Sequence, residues 1–274
     1  RCASRQAPAM RRMLLIGIGA GDPQYVTQQA IGALNEADVF FVMEKGECKD
    51  DLVALRREVC ERFIADQSYR IVAVRDPERD RTAAAYASAV DDWRRERARI
   101  WERLIAEELD DDGVGAILVW GDPALYDSTL AIVDSILAAG RVRFAVEVVP
   151  GISAIAALCA RHRIALNRVG EAVHVTTGRR LAREGMPDNA PDVVVMLDAR
   201  CAFHSLGVDA GELDIYWGAY LGTPDELLVA GPLAEVGDEI ERVRAQARER
   251  KGWIMDTYLL RRRTLRTDPG RNGS

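Results

Sequence analysis

The residues with the clearest chemical bearing are three glycine-bearing turns, each at the end of an apolar run. The first reads Gly17-Ile18-Gly19-Ala20-Gly21-Asp22-Pro23, the second Trp120-Gly121-Asp122-Pro123 and the third Pro150-Gly151-Ile152-Ser153-Ala154. Glycine serves where the backbone takes positive φ or where a Cβ would hold a partner off, so these turns predict a ligand met by backbone. Two ligand classes compete for the first. A dinucleotide fingerprint needs G-x-G-x-x-G opening directly into a helix, with an acid about 20 residues on for the ribose. Here the spacing is G-x-G-x-G, and Asp22 and Pro23 stand where helix N–H groups should be free for a pyrophosphate. A carboxylate there repels phosphate and suits a cation. Glu44, at the end of the next apolar run, remains available to a ribose, which keeps an NAD-dependent Rossmann oxidoreductase as an alternative. A glycine-rich turn with no ligand is the plain structural one.

The elements that must position these turns follow from apolar patterning. Strands are expected over 13–19, 38–43, 70–74, 115–120 and 143–149, with helices over 26–37, 50–65, 82–109 and 130–139, and a fifth helix from Ser153 with that serine as its cap. This alternation predicts a mostly parallel sheet with helices on its faces, and all three turns fall at its carboxyl edge, where open α/β sheets bind ligands. After Asn167-Arg168 the texture changes. Strands over 171–177, 192–197, 214–221, 227–230 and 253–260, and helices over 200–207 and 233–248, predict a mixed sheet with a hairpin at Gly222-Thr223-Pro224-Asp225. The expected organisation is therefore α/β: an N-terminal domain over 13–166 and a C-terminal mixed domain over 167–263, with the ligand in the cleft between them. Residues 1–9 and 264–274 are expected to be disordered.

Composition narrows the classes. The 274 residues carry a formal charge of −6, which disfavours a general nucleic-acid or anionic-membrane binder. Of 37 basic residues only Lys45, Lys49 and Lys251 are lysines, so the positive charge is nearly all guanidinium. Five scattered cysteines, never in C-x-x-C, argue against a disulfide framework and against zinc. His162, His174 and His204 show no ligand spacing; no metal is expected. No apolar run reaches a membrane-spanning length, and the short stretch after Arg11-Arg12 belongs to the first strand rather than to a signal peptide. The setting expected from this is cytoplasmic.

The three turns, in this order and with Asn167-Arg168 shortly after, resemble the tetrapyrrole (corrin/porphyrin) methyltransferases over roughly residues 13–262. Arg75-Asp76-Pro77-Glu78-Arg79-Asp80-Arg81, Val90-Asp91-Asp92-Trp93 and the run from Tyr216 to Glu226 are similar to the branch that methylates C-1 of precorrin-5 with release of acetate, giving precorrin-6A in aerobic cobalamin biosynthesis. A sister enzyme acting at another macrocycle carbon would share all three turns. The resemblance implies two α/β domains holding S-adenosyl-L-methionine, released as S-adenosyl-L-homocysteine. It places against the cofactor Gly19, Ala20 and Gly21 of the first turn, Trp120, Gly121, Asp122 and Leu125 of the second, and Ser153 and Ala154 of the third. From the C-terminal domain it adds Met196, Tyr220 and Leu221. Ala20 stands where relatives commonly have proline and Ser153 where many have threonine; Trp120 and Leu221 stand where glycine is frequent. A homodimer is expected.

Methyl transfer from sulfonium to carbon needs alignment and exclusion of water rather than a protein nucleophile. Carboxylates beside the sulfonium would stabilise the ground state and slow the step, so Asp22 and Asp122 are expected to act on loop geometry, ribose or substrate. Loss of acetate needs water and proton handling, for which Asp22, Asp122, Tyr126 and Asp127 are the acid or base candidates. The acidic macrocycle calls for cations. Arg168 is the first candidate for a carboxylate clamp, with Arg75, Arg79 and Arg81 behind it and Asp22 as a further substrate contact. Arg95, Arg99 and Arg103 form a stripe at i, i+4, i+8, read as a solvated face relieved by Asp91, Glu96 and Glu102.

Overall fold

The computed structural model describes residues 10–44, 50–77 and 86–263, without the side chains of 44, 50–52, 86–89, 208 and 209. The expectations on residues 1–9, on 264–274 and on Arg79 and Arg81 lie outside the described residues. The chain divides into two compact units, Arg1–Ser153 and Ala154–Ser274. Composition alone places the division at 166/167. The helix Ala154–His162 falls to the second unit because it packs on that unit's strands.

The first unit is built on five parallel strands: β1 (Arg12–Gly17), β2 (Val39–Glu44), β3 (Arg70–Arg75), β4 (Val114–Val119) and β5 (Ala145–Val149), in the order β3-β2-β4-β1-β5. Alternation along β1 sorts its side chains to two cores. Leu14, Ile16 and Ile18 join Ala30, Ala33 and Leu34 of α1 (Gln28–Glu36) and Val59 and Cys60 of α2 (Asp50–Phe63). Met13 and Leu15 join Trp101, Leu104 and Ile105 of α3 (Tyr86–Glu108) and Ile132, Val133 and Ile136 of α4 (Thr129–Ala139). Helices thus cover both faces, and β4-β1-β5 stand side by side with their carboxyl ends together.

The second unit opens with α5 (Ala154–His162) and carries β6 (Val173–Thr177), β7 (Asp192–Met196), β8 (Leu213–Ala219), β9 (Leu227–Pro232) and β10 (Asp256–Arg262), in the order β6-β7-β10-β8-β9. Only β6 and β7 pair in parallel; β10 runs antiparallel to both β7 and β8, and β8 and β9 form the expected hairpin. With α5, the helices α6 (Gly178–Glu184) and α7 (Leu233–Lys251) flank it. The short α6 has no sequence signal beyond its basic residues. The segment expected as a helix over 200–207 is a 3-10 stretch, Ala202–Glu212, kinked at Gly207.

A buried polar network fixes this unit. The Arg244 guanidinium donates to Asp256 (2.9 Å) and to the Asp198 carbonyl (2.7 Å), the Trp217 indole donates to Asp256 (3.0 Å), and the Tyr258 hydroxyl donates to Asp198 (2.7 Å). Burial pushes the thiols of Cys60 and Cys201, one in each unit, up to about 11. Both therefore stay protonated at pH 8, where thiolate is the reactive species. In native protein treated with iodoacetamide at pH 8, peptide mapping is expected to find both unmodified, and both alkylated after unfolding in guanidinium.

Candidate functional site

The carboxyl edge of β4-β1-β5 is where the three turns converge, and they are bonded to one another. Gly19 and Gly121 form a two-way bridge, Gly121 N–H to Gly19 oxygen at 2.8 Å and the reverse at 3.2 Å. Asp122 joins the other pair. One carboxylate oxygen accepts the Ala124 N–H of its own turn (2.8 Å) and the other accepts the Gly151 N–H of the third turn (2.9 Å). The glycines serve this assembly. A Cβ on Gly17 would lie 2.6 Å from the Gly151 nitrogen and 2.9 Å from Pro123, and one on Gly151 would fall on the Gly121 carbonyl oxygen. The glycine rule predicts close approach to a ligand; at Gly17 and Gly151 the close approach is of loop to loop.

The acid and base candidates are distributed along these turns. Asp22 accepts the Gln24 N–H (2.8 Å) at the head of a 3-10 turn, Pro23–Tyr25. Asp127 accepts the Thr129 N–H (2.6 Å) at the start of α4. With Asp122, all three carboxylates are therefore loop anchors. Tyr126 takes φ 50° at the exposed tip of the second turn. The turn Pro23–Tyr25 also separates the first loop from α1, whose amino end is capped by Thr27. The glycine turn does not open into a helix, which removes the pyrophosphate seat of a dinucleotide site. Glu44 ends β2, and its side chain is outside the described residues.

Of the other first-turn and third-turn residues, Ala20 is buried, Ser153 precedes α5 and Ala154 opens it. Trp120 and Leu125 are half-buried in the second turn. In the second unit, β7 ends at Met196 and β8 at Ala219, both on one edge because each pairs antiparallel with β10 between them. The Tyr220 hydroxyl is turned inward, donating to the Trp253 carbonyl (2.6 Å), so the tyrosine offers backbone at this edge. Leu221 follows it, buried. The turn is tied down by Glu226, whose carboxylate accepts the Gly222 N–H (2.8 Å) and the Arg161 guanidinium (2.6 Å).

The basic candidates separate. Arg75 ends β3 exposed, on the same carboxyl edge as the turns. Arg168 donates to the Arg262 carbonyl (2.8 Å) and faces the buried Asp192 (3.4 Å), which also receives Arg261 (2.7 Å). Asp192 begins β7 and Met196 ends it, so Arg168 lies roughly 13 Å along the strand from that edge. The stripe on α3 is relieved as a solvated face, by Asp92 for Arg95, Glu96 for Arg99 and Glu107 for Arg103; Glu102 pairs with Arg141 instead. Two cations that spacing did not single out lie deeper. Arg97 forms a buried two-point pair with Asp76 (2.7 and 3.3 Å) and stacks over Trp93 at 4.4 Å. Arg56 donates to the Leu118 carbonyl (3.3 Å); burial lowers its pKa, opposed by Asp127. The Arg75-Asp76-Pro77 segment was the sequence signal for the first.

Among the described residues, no cluster of three His, Cys, Asp or Glu has the geometry of a metal site, and no helix is long and apolar enough to cross a membrane.

The sequence model described as Tetrapyrrole (Corrin/Porphyrin) Methylases matches residues 12–237. The chain belongs to the tetrapyrrole methylases. Within that family it is 50% identical over 253 residues to a precorrin-6A synthase [deacetylating] of Sinorhizobium sp, covering 92% of this chain and 96% of the relative. The crystal structure of a cobalamin synthesis related protein, CobF of Corynebacterium diphtheriae, superposes with a TM-score of 0.80 at 39% identity, over 93% of this chain and all of that one. The uroporphyrin-III C-methyltransferase of Thermus thermophilus, in complex with S-adenosylhomocysteine, has a TM-score of 0.53 at 22% identity, over 91% of each chain, and speaks for the fold alone. The methylase fold's two α/β sheets, one parallel and one mixed, are those described above.

The residues present fit a methylase cofactor. Taken by itself, the first unit's edge offers backbone from Gly19–Gly21, Gly121 and Ser153 and the apolar side chain of Leu125, and its aspartates accept N–H groups of the turns; the second unit's edge offers the Tyr220 backbone and the Met196 side chain. Turns whose carboxylates are directed to backbone N–H groups suit a ligand carrying a sulfonium that must remain reactive.

Proposed function

We propose that this chain transfers the methyl group of S-adenosyl-L-methionine to C-1 of precorrin-5 and releases the ring-junction acetyl group as acetate, giving precorrin-6A. The observation that carries the reading is the 50% identity, across nearly the whole of both chains, to a precorrin-6A synthase [deacetylating]. In this reading Gly19, Ala20, Gly21, Trp120, Gly121, Asp122, Leu125, Ser153, Ala154, Met196, Tyr220 and Leu221 hold the cofactor. Arg75 serves the macrocycle's carboxylates from the edge of β3. The protein acts in the cytoplasm as a homodimer.

When bound, S-adenosylmethionine supplies an electrophilic methyl group on sulfur. The chain's own part is alignment. Interlocked turns hold their backbone groups fixed before any ligand arrives, so little ordering remains to be done on binding. Asp122 and Asp22 keep loop shape and leave the cofactor's cation without a close counter-charge, which would otherwise stabilise the ground state. Acetate release consumes one water, whose protons pass to a base or to solvent, and the electron pair of the broken carbon–carbon bond stays on the macrocycle, where it forms the bond from C-1 to the incoming methyl group. The step releases protons and so calls for a base; Asp22, Asp122, Tyr126 and Asp127 are the side chains on these turns that this reading offers for it.

The test is calorimetric titration of purified protein with S-adenosylhomocysteine and, separately, with NADH. Saturable one-site binding of the first and none of the second is expected. Binding of NADH alone would overturn the reading and restore the oxidoreductase alternative.

A further inference from the structure

One residue on the second unit's edge carries two costs at once. Leu197 follows the last residue of β7, is 66% exposed and takes φ 53°. An exposed leucine is ordinary, and so is a left-handed residue after a strand. A leucine that is both is not, since left-handed backbone is strained for any side chain with a Cβ and Gly or Asn relieves it at no loss of buried contact.

The surroundings over-determine the conformation. Met196 is held in the ladder between Thr177 and Thr257. Asp198, only 6% exposed, is driven inward: its carboxylate accepts the N–H groups of Arg200 (2.9 Å) and Ala202 (2.6 Å) and the Tyr258 hydroxyl (2.7 Å), and its carbonyl accepts Arg244 (2.7 Å). Gly178 leaves room for it, because a Cβ there would overlap the Asp198 carboxylate. With Met196 and Asp198 both fixed, the single residue between them has nowhere to point but outward. Of the other non-glycine residues with positive φ among the described residues, Tyr126 and Tyr220 stand beside the proposed cofactor contacts Leu125 and Leu221, while Arg163 and Cys201 stand beside none. Strain of this kind, over-determined by its surroundings, gathers at ligand sites.

We infer that Leu197 is a ligand-contact residue, its side chain presented by the Asp198 anchor to cover the face of a flat conjugated ring. The inference rests on the proposed function, which supplies two such rings, the cofactor's adenine and the precorrin macrocycle. The strain is the means of presentation. A relaxed residue at 197 would give up the outward position or the apolar surface.

Leu197→Gly and Leu197→Ala separate this from a structural role. Leu197→Gly relieves the left-handed backbone and removes no buried contact, so its midpoint of thermal unfolding is expected to equal or exceed that of the parent. Ligand binding is expected to weaken roughly five- to tenfold in both variants, the effect of exposing part of one apolar side chain. A fall in S-adenosylhomocysteine affinity by calorimetry assigns the contact to adenine. Unchanged affinity with a raised KM for precorrin-5 and an unchanged kcat assigns it to the macrocycle. If neither binding constant moves, or if the unfolding temperature drops in step with affinity, the inference is overturned. Failure of the parent protein to bind S-adenosylhomocysteine would instead sink the proposed function, so the two failures are distinguishable.

Discussion

Gly151→Ala is expected to abolish measurable S-adenosylhomocysteine binding and to destabilise the first unit by about 3 kcal/mol, the upper range for forcing an added methyl into packed structure. The added Cβ would fall on the carbonyl oxygen of Gly121 and within contact of the Gly17 backbone. These are main-chain atoms of the other two turns, so no side-chain rotation relieves the overlap. The second and third turns must separate, which also stretches the bond from the Gly151 N–H to Asp122. Gly32→Ala is the control. Gly32 lies within α1 with open space at its Cβ, and alanine there is expected to stabilise by up to about 1 kcal/mol through helix propensity while leaving binding intact. Urea unfolding and calorimetry measure both.

Asp122→Asn is expected to be nearly as damaging as Asp122→Ala, despite its close shape. Each carboxylate oxygen accepts a different backbone N–H, from Ala124 and from Gly151. An amide has one acceptor oxygen; its NH2 must then face an N–H, donor against donor. One anchor is lost whichever way the amide is turned, and a charge-assisted bond becomes a neutral one. The expected loss is about 2 kcal/mol of stability, with S-adenosylhomocysteine affinity falling more than tenfold because two turns move at once. If Asp122→Asn binds the cofactor product like the parent while Asp122→Ala does not, the requirement for two acceptors is wrong.

Much of this arrangement is legible in the chain because it is written in local pattern. The runs around Leu14–Ile16 and Ala116–Val119 alternate between two cores, the helices between them carry apolar faces, and together they put three turns on one edge of a parallel sheet. The hairpin at 222–225 is likewise a matter of local turn chemistry. What pattern does not carry is tertiary. The role of Gly17 in holding loop against loop depends on Pro123 and Gly151, more than a hundred positions away, and that of Gly151 on Gly121 of a different turn. Arg168 reads as a carboxylate clamp just past the third turn; in the fold its guanidinium meets the Asp192 carboxylate and the Arg262 carbonyl, contacts that exist only once β7 and β10 are side by side. The short α6 is defined by the fit of Gly178 against Asp198 rather than by propensity, and Leu197 looks like any apolar residue at the end of a strand until its neighbours fix its backbone.

The most direct test of the central claim is a single-turnover reaction of the purified protein with precorrin-5 and methyl-labelled S-adenosylmethionine, quantifying labelled macrocycle and free acetate together. One label incorporated and one acetate released per precorrin-5 consumed is the expected result. Label incorporated with no acetate would contradict it, since that outcome belongs to a sister methylase acting at another carbon.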